Sequence, residues 1–95
     1  MDEPLRFEWD PAKNAINQAK HGVSFEEASF AFFDPNGIVI ADPDHSDEED
    51  RFLLLGRSAF GVLVIAHSYR TSAIRIISAR KANGIERRVY LEALS

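Results

Sequence analysis

Ninety-five residues, 45% apolar and 27% charged, suit one unit spanning 1–95 with a small core. The absence of cysteine excludes a disulfide framework and a thiolate metal site and points to the cytoplasm. No apolar run approaches a membrane span, and Met1-Asp2-Glu3-Pro4 lacks the basic and apolar pattern of a signal peptide.

The net charge of -4 argues against a general polyanion binder, but the charge is unevenly spread. Residues 1–56 carry 4 basic and 13 acidic side chains, a balance of -9, whereas residues 57–95 carry 7 and 2, a balance of +5. That asymmetry hints at nucleic-acid contact, or at a basic partner on the acidic half.

In chain order, Leu5 to Trp9 alternates as a short strand. Asp10-Pro11 then supplies a helix cap and a first-turn proline, followed by Ala12, Ala15, Ile16 and Ala19 at helical spacing. Lys20-His21-Gly22 ends this helix, with Gly22 suited to a left-handed cap and His21 to the last carbonyls. Ser24-Phe25-Glu26-Glu27 reads as a capping box for a second helix striped by Phe25, Ala28 and Phe32, and Asp34-Pro35-Asn36-Gly37 has turn chemistry.

The period then changes to two. Ile38 to Ala41, Arg51 to Ser58, Val62 to Tyr69 and Ala73 to Arg80 read as strands of a meander, with the two helices on one face. A short tail helix, with Asn83 as cap, Glu86 at the third position and Ile85, Val89 and Ala93 at helical spacing, partly covers the other. The expected class is α+β, in the order β-α-α-β-β-β-β-α, with a mainly antiparallel sheet.

Strict alternation along Ala73 to Arg80 puts Arg75 and Arg80 on opposite faces unless the strand ends before Arg80. A guanidinium inside an apolar strand is costly unless paired, so these residues are either structural ion pairs or forks for phosphate. Between the second and third strands, Asp42 to Asp50 is acidic at six of nine positions. As a calcium loop starting at Asp42 it has Asp47 where glycine is needed and Leu53 where glutamate is needed, so no metal is expected there, and His45 supports no mechanism.

Taken together, Phe7-Glu8-Trp9-Asp10, Lys13-Asn14, Asn17, Lys20 to Ala28, Phe33-Asp34-Pro35, Arg51, Gly56-Arg57-Ser58, Arg75 to Ala82, Glu86-Arg87 and Tyr90 resemble the BrnT-type toxins of type II toxin-antitoxin modules. Asn83-Gly84 departs from the helix-favouring residues usual at that point. The resemblance implies a RelE-like fold and metal-independent RNA cleavage without a cofactor. It also implies a cognate ribbon-helix-helix antitoxin, BrnA-like, through which alone the toxin meets DNA.

Cleavage by the 2′-hydroxyl needs a base, an acid and donors for the phosphorane charge. Arg57, Arg75 and Arg80 fit only the last role, since guanidinium does not exchange protons near neutrality. Tyr90 and His67 are the catalytic candidates beside them; helix packing and core burial are the alternative jobs for these two. Glu86 is a further base candidate whose capping position offers a structural role. Arg70, Lys81, Arg87 and Lys20 are candidates for RNA binding. Two other functions stay open: a non-enzymatic partner and co-repressor, and an RNA-binding domain that does not cut.

Overall fold

The computed structural model describes residues 5–42 and 50–94. His45 and most of the acidic loop considered as a calcium site therefore lie outside the described residues, as does Met1 to Pro4. The elements follow in the order β1 (Phe7–Glu8), α1 (Pro11–His21), α2 (Phe25–Phe30), a 3-10 turn (Ala31–Phe33), β2 (Ile38–Ala41), β3 (Phe52–Ser58), β4 (Gly61–Tyr69), β5 (Ile74–Lys81) and α3 (Gly84–Ala93). This is the α+β order expected from the sequence. The second helix is shorter than its apolar stripe suggested, because the chain tightens into the 3-10 turn before Asp34.

The five strands form one sheet in the order β1-β5-β4-β3-β2. β1 runs parallel to β5, while the other pairs are antiparallel. Caps define the helix ends as anticipated. The Asp10 carboxylate accepts from the Ala12 amide, and Gly22 closes α1 at φ 73°, a conformation that glycine adopts without strain. Ser24 caps α2 without completing the expected box, since the Glu27 carboxylate accepts from the Ala59 amide at 3.3 Å, whereas Asn83 with Glu86 makes a full capping box on α3.

Helices α1 and α2 cover one sheet face over a core of Val23, Phe25, Ala28, Leu54, Leu63, Ile65, Ile76 and Ala79. Gly56 makes this approach possible, since a Cβ there would meet the Ala31 carbonyl oxygen at 2.8 Å. Asn17 is the polar pin of this core. Its amide donates to the carbonyls of Val23 and Ala79 at 2.9 and 2.8 Å and accepts from the Ala79 amide at 3.1 Å, tying α1 to β5. On the opposite face, α3 covers a smaller cluster of Leu55, Val62, Val64, Ala82 and Tyr90. Among the described residues, no helix is long and apolar enough to cross a membrane.

Candidate active site

β5 departs from strict alternation at the centre of its arginine motif. Ser68 pairs with Arg75 and His67 with Ile76, but Ala66 pairs with Ser78, so Ile77 is an extra residue in a β-bulge. The bulge reverses the parity of everything after it. Arg75, Ser78 and Arg80 therefore share the α3-side face with Val64, Ala66 and Ser68, while Ile74, Ile76 and Ala79 stay on the side of α1 and α2. This corrects the expectation of opposite faces, because the strand is continuous through Lys81 and still presents both arginines on one side.

Sharing a face does not bring these arginines together. Arg75 lies opposite Ser68 and Arg80 opposite Val64, four residues apart along β4 and so about 13 Å at the backbone. Arg75 donates to Glu8 on β1 at 2.9 Å. Arg80 makes a two-pronged pair with Glu86, Nη1 to Oε1 and Nη2 to Oε2, both at 2.8 Å. Hydrogen bonding to Arg80 is the main reason that the Glu86 carboxyl sits below its ordinary range, and the same bonds raise Arg80. Glu86 thus both caps α3 and fills the Arg80 fork.

Arg57, paired with Val62, lies on this same face and forms a compact group with Tyr90 and Asp34. Its guanidinium carbon stands 5.7 Å from the Tyr90 ring centroid, within cation-π range. The Tyr90 hydroxyl donates to Asp34 Oδ2 at 2.5 Å, and the Arg57 amide donates to the same oxygen at 2.8 Å. Burial pushes the Asp34 carboxyl upward, but these bonds, another from the Asn36 amide and the Arg57 charge hold it below its ordinary value. Burial first, and then the Asp34 bond, raise Tyr90, which stays a protonated donor in this setting. Asp34 was legible in the sequence only as turn chemistry; here it joins the turn, β3 and α3.

The remaining candidates are dispersed. Arg87 lies with Arg88 and Leu91 along an exposed groove of α3, and Lys20 is exposed in the last turn of α1. Lys81, paired with Leu63, is exposed on the side of α1 and α2. Arg70 and His67 lie near the far end of β4. The Arg70 amide donates to the Ala73 carbonyl in the turn after that strand. His67 has 0% exposure, and desolvation lowers its pKa. Among the described residues, no cluster of three or more histidine and acidic side chains is placed to hold a metal.

A five-stranded sheet with two helices on one face, and α3 with the Arg57, Asp34, Tyr90, Arg80 and Glu86 side chains on the other, defines a small α+β domain. The family model described as "Ribonuclease toxin, BrnT, of type II toxin-antitoxin system" matches residues 9–86, and the chain belongs to that family. Comparison with curated proteins returns no match.

Proposed function

We propose that this chain is the toxin of a type II module, an endoribonuclease that cuts RNA without metal, with mRNA as its substrate and arrest of translation as its effect. The reading rests on family membership across residues 9–86 together with one geometric observation: Arg57, which stands over the Tyr90 ring, shares a sheet face with Arg80. In this mechanism the 2′-hydroxyl loses its proton and attacks the adjacent phosphorus as the P–O5′ bond breaks, and the departing 5′-oxygen takes a proton from solvent, leaving a 2′,3′-cyclic phosphate and a free 5′-hydroxyl. Arg80 and Arg57 take the developing phosphorane charge.

Glu86 holds the Arg80 fork until a phosphate, which can also offer two oxygens to the two prongs, exchanges with it. The displaced carboxylate then lies beside the 2′-hydroxyl as a base, and Tyr90 orders Arg57 from below. Arg75 contributes at longer range, and Arg87, Lys81 and Lys20 hold the flanking RNA backbone. The partner is a DNA-binding antitoxin of the ribbon-helix-helix type, and the toxin works in the cytoplasm.

Incubation of purified protein with RNA, with and without EDTA, tests this reading through the chemistry of the ends. Cleavage that resists EDTA and leaves cyclic phosphate is expected, and Arg57→Ala or Arg80→Ala should each lower it by about 100-fold or more. Cleavage abolished by EDTA contradicts the mechanism. The non-enzymatic alternative draws on the Arg80 fork being filled by Glu86; it requires that no preparation of folded protein cut RNA, with Arg80→Ala changing thermal stability alone.

A further inference from the structure

The end of the sheet away from α3 carries a second constellation. Three arginine-aromatic neighbours in sequence, Arg6-Phe7, Arg51-Phe52 and Tyr69-Arg70, are brought to this one end by the strand register. Phe52 pairs with His67, while Tyr69 and Phe7 both pair with Ile74.

The rings form a continuous ribbon. Phe33 lies 6.2 Å from Phe7, Phe7 5.3 Å from Phe32, and Phe32 4.9 Å from His67. Tyr69 follows at 5.2 Å from both His67 and Phe52. The ribbon is buried at His67, half-buried at Phe7, Phe32 and Phe52, and open at its ends, with Phe33 61% and Tyr69 54% exposed. Packing accounts for Phe32 and His67; it does not account for two large rings left in water at either end.

Hydrogen bonding fixes what Tyr69 offers. His67 Nδ1 lies 3.0 Å from the Ile65 carbonyl oxygen, which can only accept, so that nitrogen carries the proton. His67 Nε2 is then an acceptor, and the Tyr69 hydroxyl donates to it at 3.2 Å. With its proton turned inward, the Tyr69 oxygen presents lone pairs alone to solvent. It is an acceptor held in place by a buried histidine.

We propose that this end is a nucleobase subsite, in which an unpaired base stacks on the exposed rings and its amino edge donates to Tyr69, while neighbouring phosphates meet Arg6 and Arg51. The proposal deepens the ribonuclease reading, from which it takes RNA as the ligand. Interleaved aromatic and basic side chains are the usual chemistry of single-strand binding. Asp42, Asp50 and Glu8 border the same end, and Arg75 is already paired with Glu8, so the arginines act as individual phosphate contacts and not as a broad positive field. His67 is a positioning residue here, acting through Tyr69.

The test uses the full chain and a short 2′-O-methyl oligoadenylate, which lacks the attacking hydroxyl, beside the same oligomer of purine riboside, which lacks the exocyclic amine. Binding is followed by fluorescence anisotropy across a salt series. Tyr69→Phe is expected to weaken oligoadenylate binding about fivefold and leave the purine oligomer unchanged. Phe33→Ala should weaken both about tenfold, and Arg6→Gln should reduce the salt slope by about 0.7.

Wild-type affinity in the Tyr69 and Phe33 variants overturns the subsite, and if wild-type protein still cuts RNA, the ribonuclease reading survives that result. Conversely, the expected binding losses without cleavage by any preparation uphold the subsite and remove the nuclease. Variants that bind oligonucleotide normally but escape the antitoxin would make this surface a protein interface and end the proposal.

Discussion

At the α3 end of the sheet, the groups suited to phosphate chemistry already have partners within the chain: Arg80 is clasped by Glu86, and Tyr90 donates to Asp34 beneath Arg57. At the other end a buried histidine faces outward through a half-exposed tyrosine, and rings lie open to water. One end is satisfied and must exchange a bond to act. The other is incomplete as it stands. In the proposed reading the contrast separates two jobs that arginine content alone confounds, namely holding charge at a reacting phosphorus and holding a strand by its bases.

Asn17→Ala is the strongest way to disturb that contrast. It strips three hydrogen bonds from a buried junction and leaves the amide and carbonyl of Ala79 without partners, next to Arg80 and just past the bulge. A loss of about 2–4 kcal/mol is expected in denaturant unfolding. Hydrogen-exchange protection should fall more around Ala79 than around Tyr69, because the pin lies nearer the α3 end.

The two ends also lose stability in separate pH ranges. His67 is depressed below its ordinary 6.5, so the unfolded chain takes up a proton that the folded chain refuses. The corresponding stability is full above about 6.5 and declines as pH falls below it. Asp34 and Glu86 are depressed from 3.8 and 4.5, so their contribution is present above those values and is lost as pH falls through their lower folded values. Melting curves should therefore show a first decline between about pH 7 and 5 that His67→Gln flattens, and a second in stronger acid that Asp34→Asn flattens. A single decline removed by Asp34→Asn alone would assign the pH response to one end.

Tyr90→Phe sharpens the comparison with less effect. It keeps the ring under Arg57 and removes the bond to Asp34, for an expected loss of about 1 kcal/mol in thermal unfolding. Smallest is Ser68→Ala. The Ser68 hydroxyl is buried without a hydrogen-bond partner among the described residues, so its removal should leave the melting temperature unchanged or raise it slightly.

Much of this architecture was legible in the sequence. Asp10-Pro11, Gly22, Ser24 and the Asn83–Glu86 box announce helix ends through local chemistry, and the β-rich runs announce the meander. The bulge at Ile77 was not legible. With Ile76 and Ile77 adjacent and alike, no polar residue marks the change of parity, and only the pairing with β4 reveals that Arg75 and Arg80 share a face. Asp34 was hidden for another reason, since a turn-forming carboxylate gives no sign of a tyrosine 56 residues later. Arg57 and Tyr90 come together, with Arg80 on the same face at the same end of the sheet, whereas Arg75, Arg70 and His67 lie toward the opposite end.

Single-turnover cleavage of a defined RNA over a range of enzyme concentration puts the division of labour to its most direct test. Arg57→Ala is expected to lower the rate at saturation with little change in half-saturation, and Tyr69→Ala to raise half-saturation while leaving the saturated rate near wild type. The opposite pattern, or an equal fall in the saturated rate for both variants, would contradict a separation of phosphate chemistry from base holding.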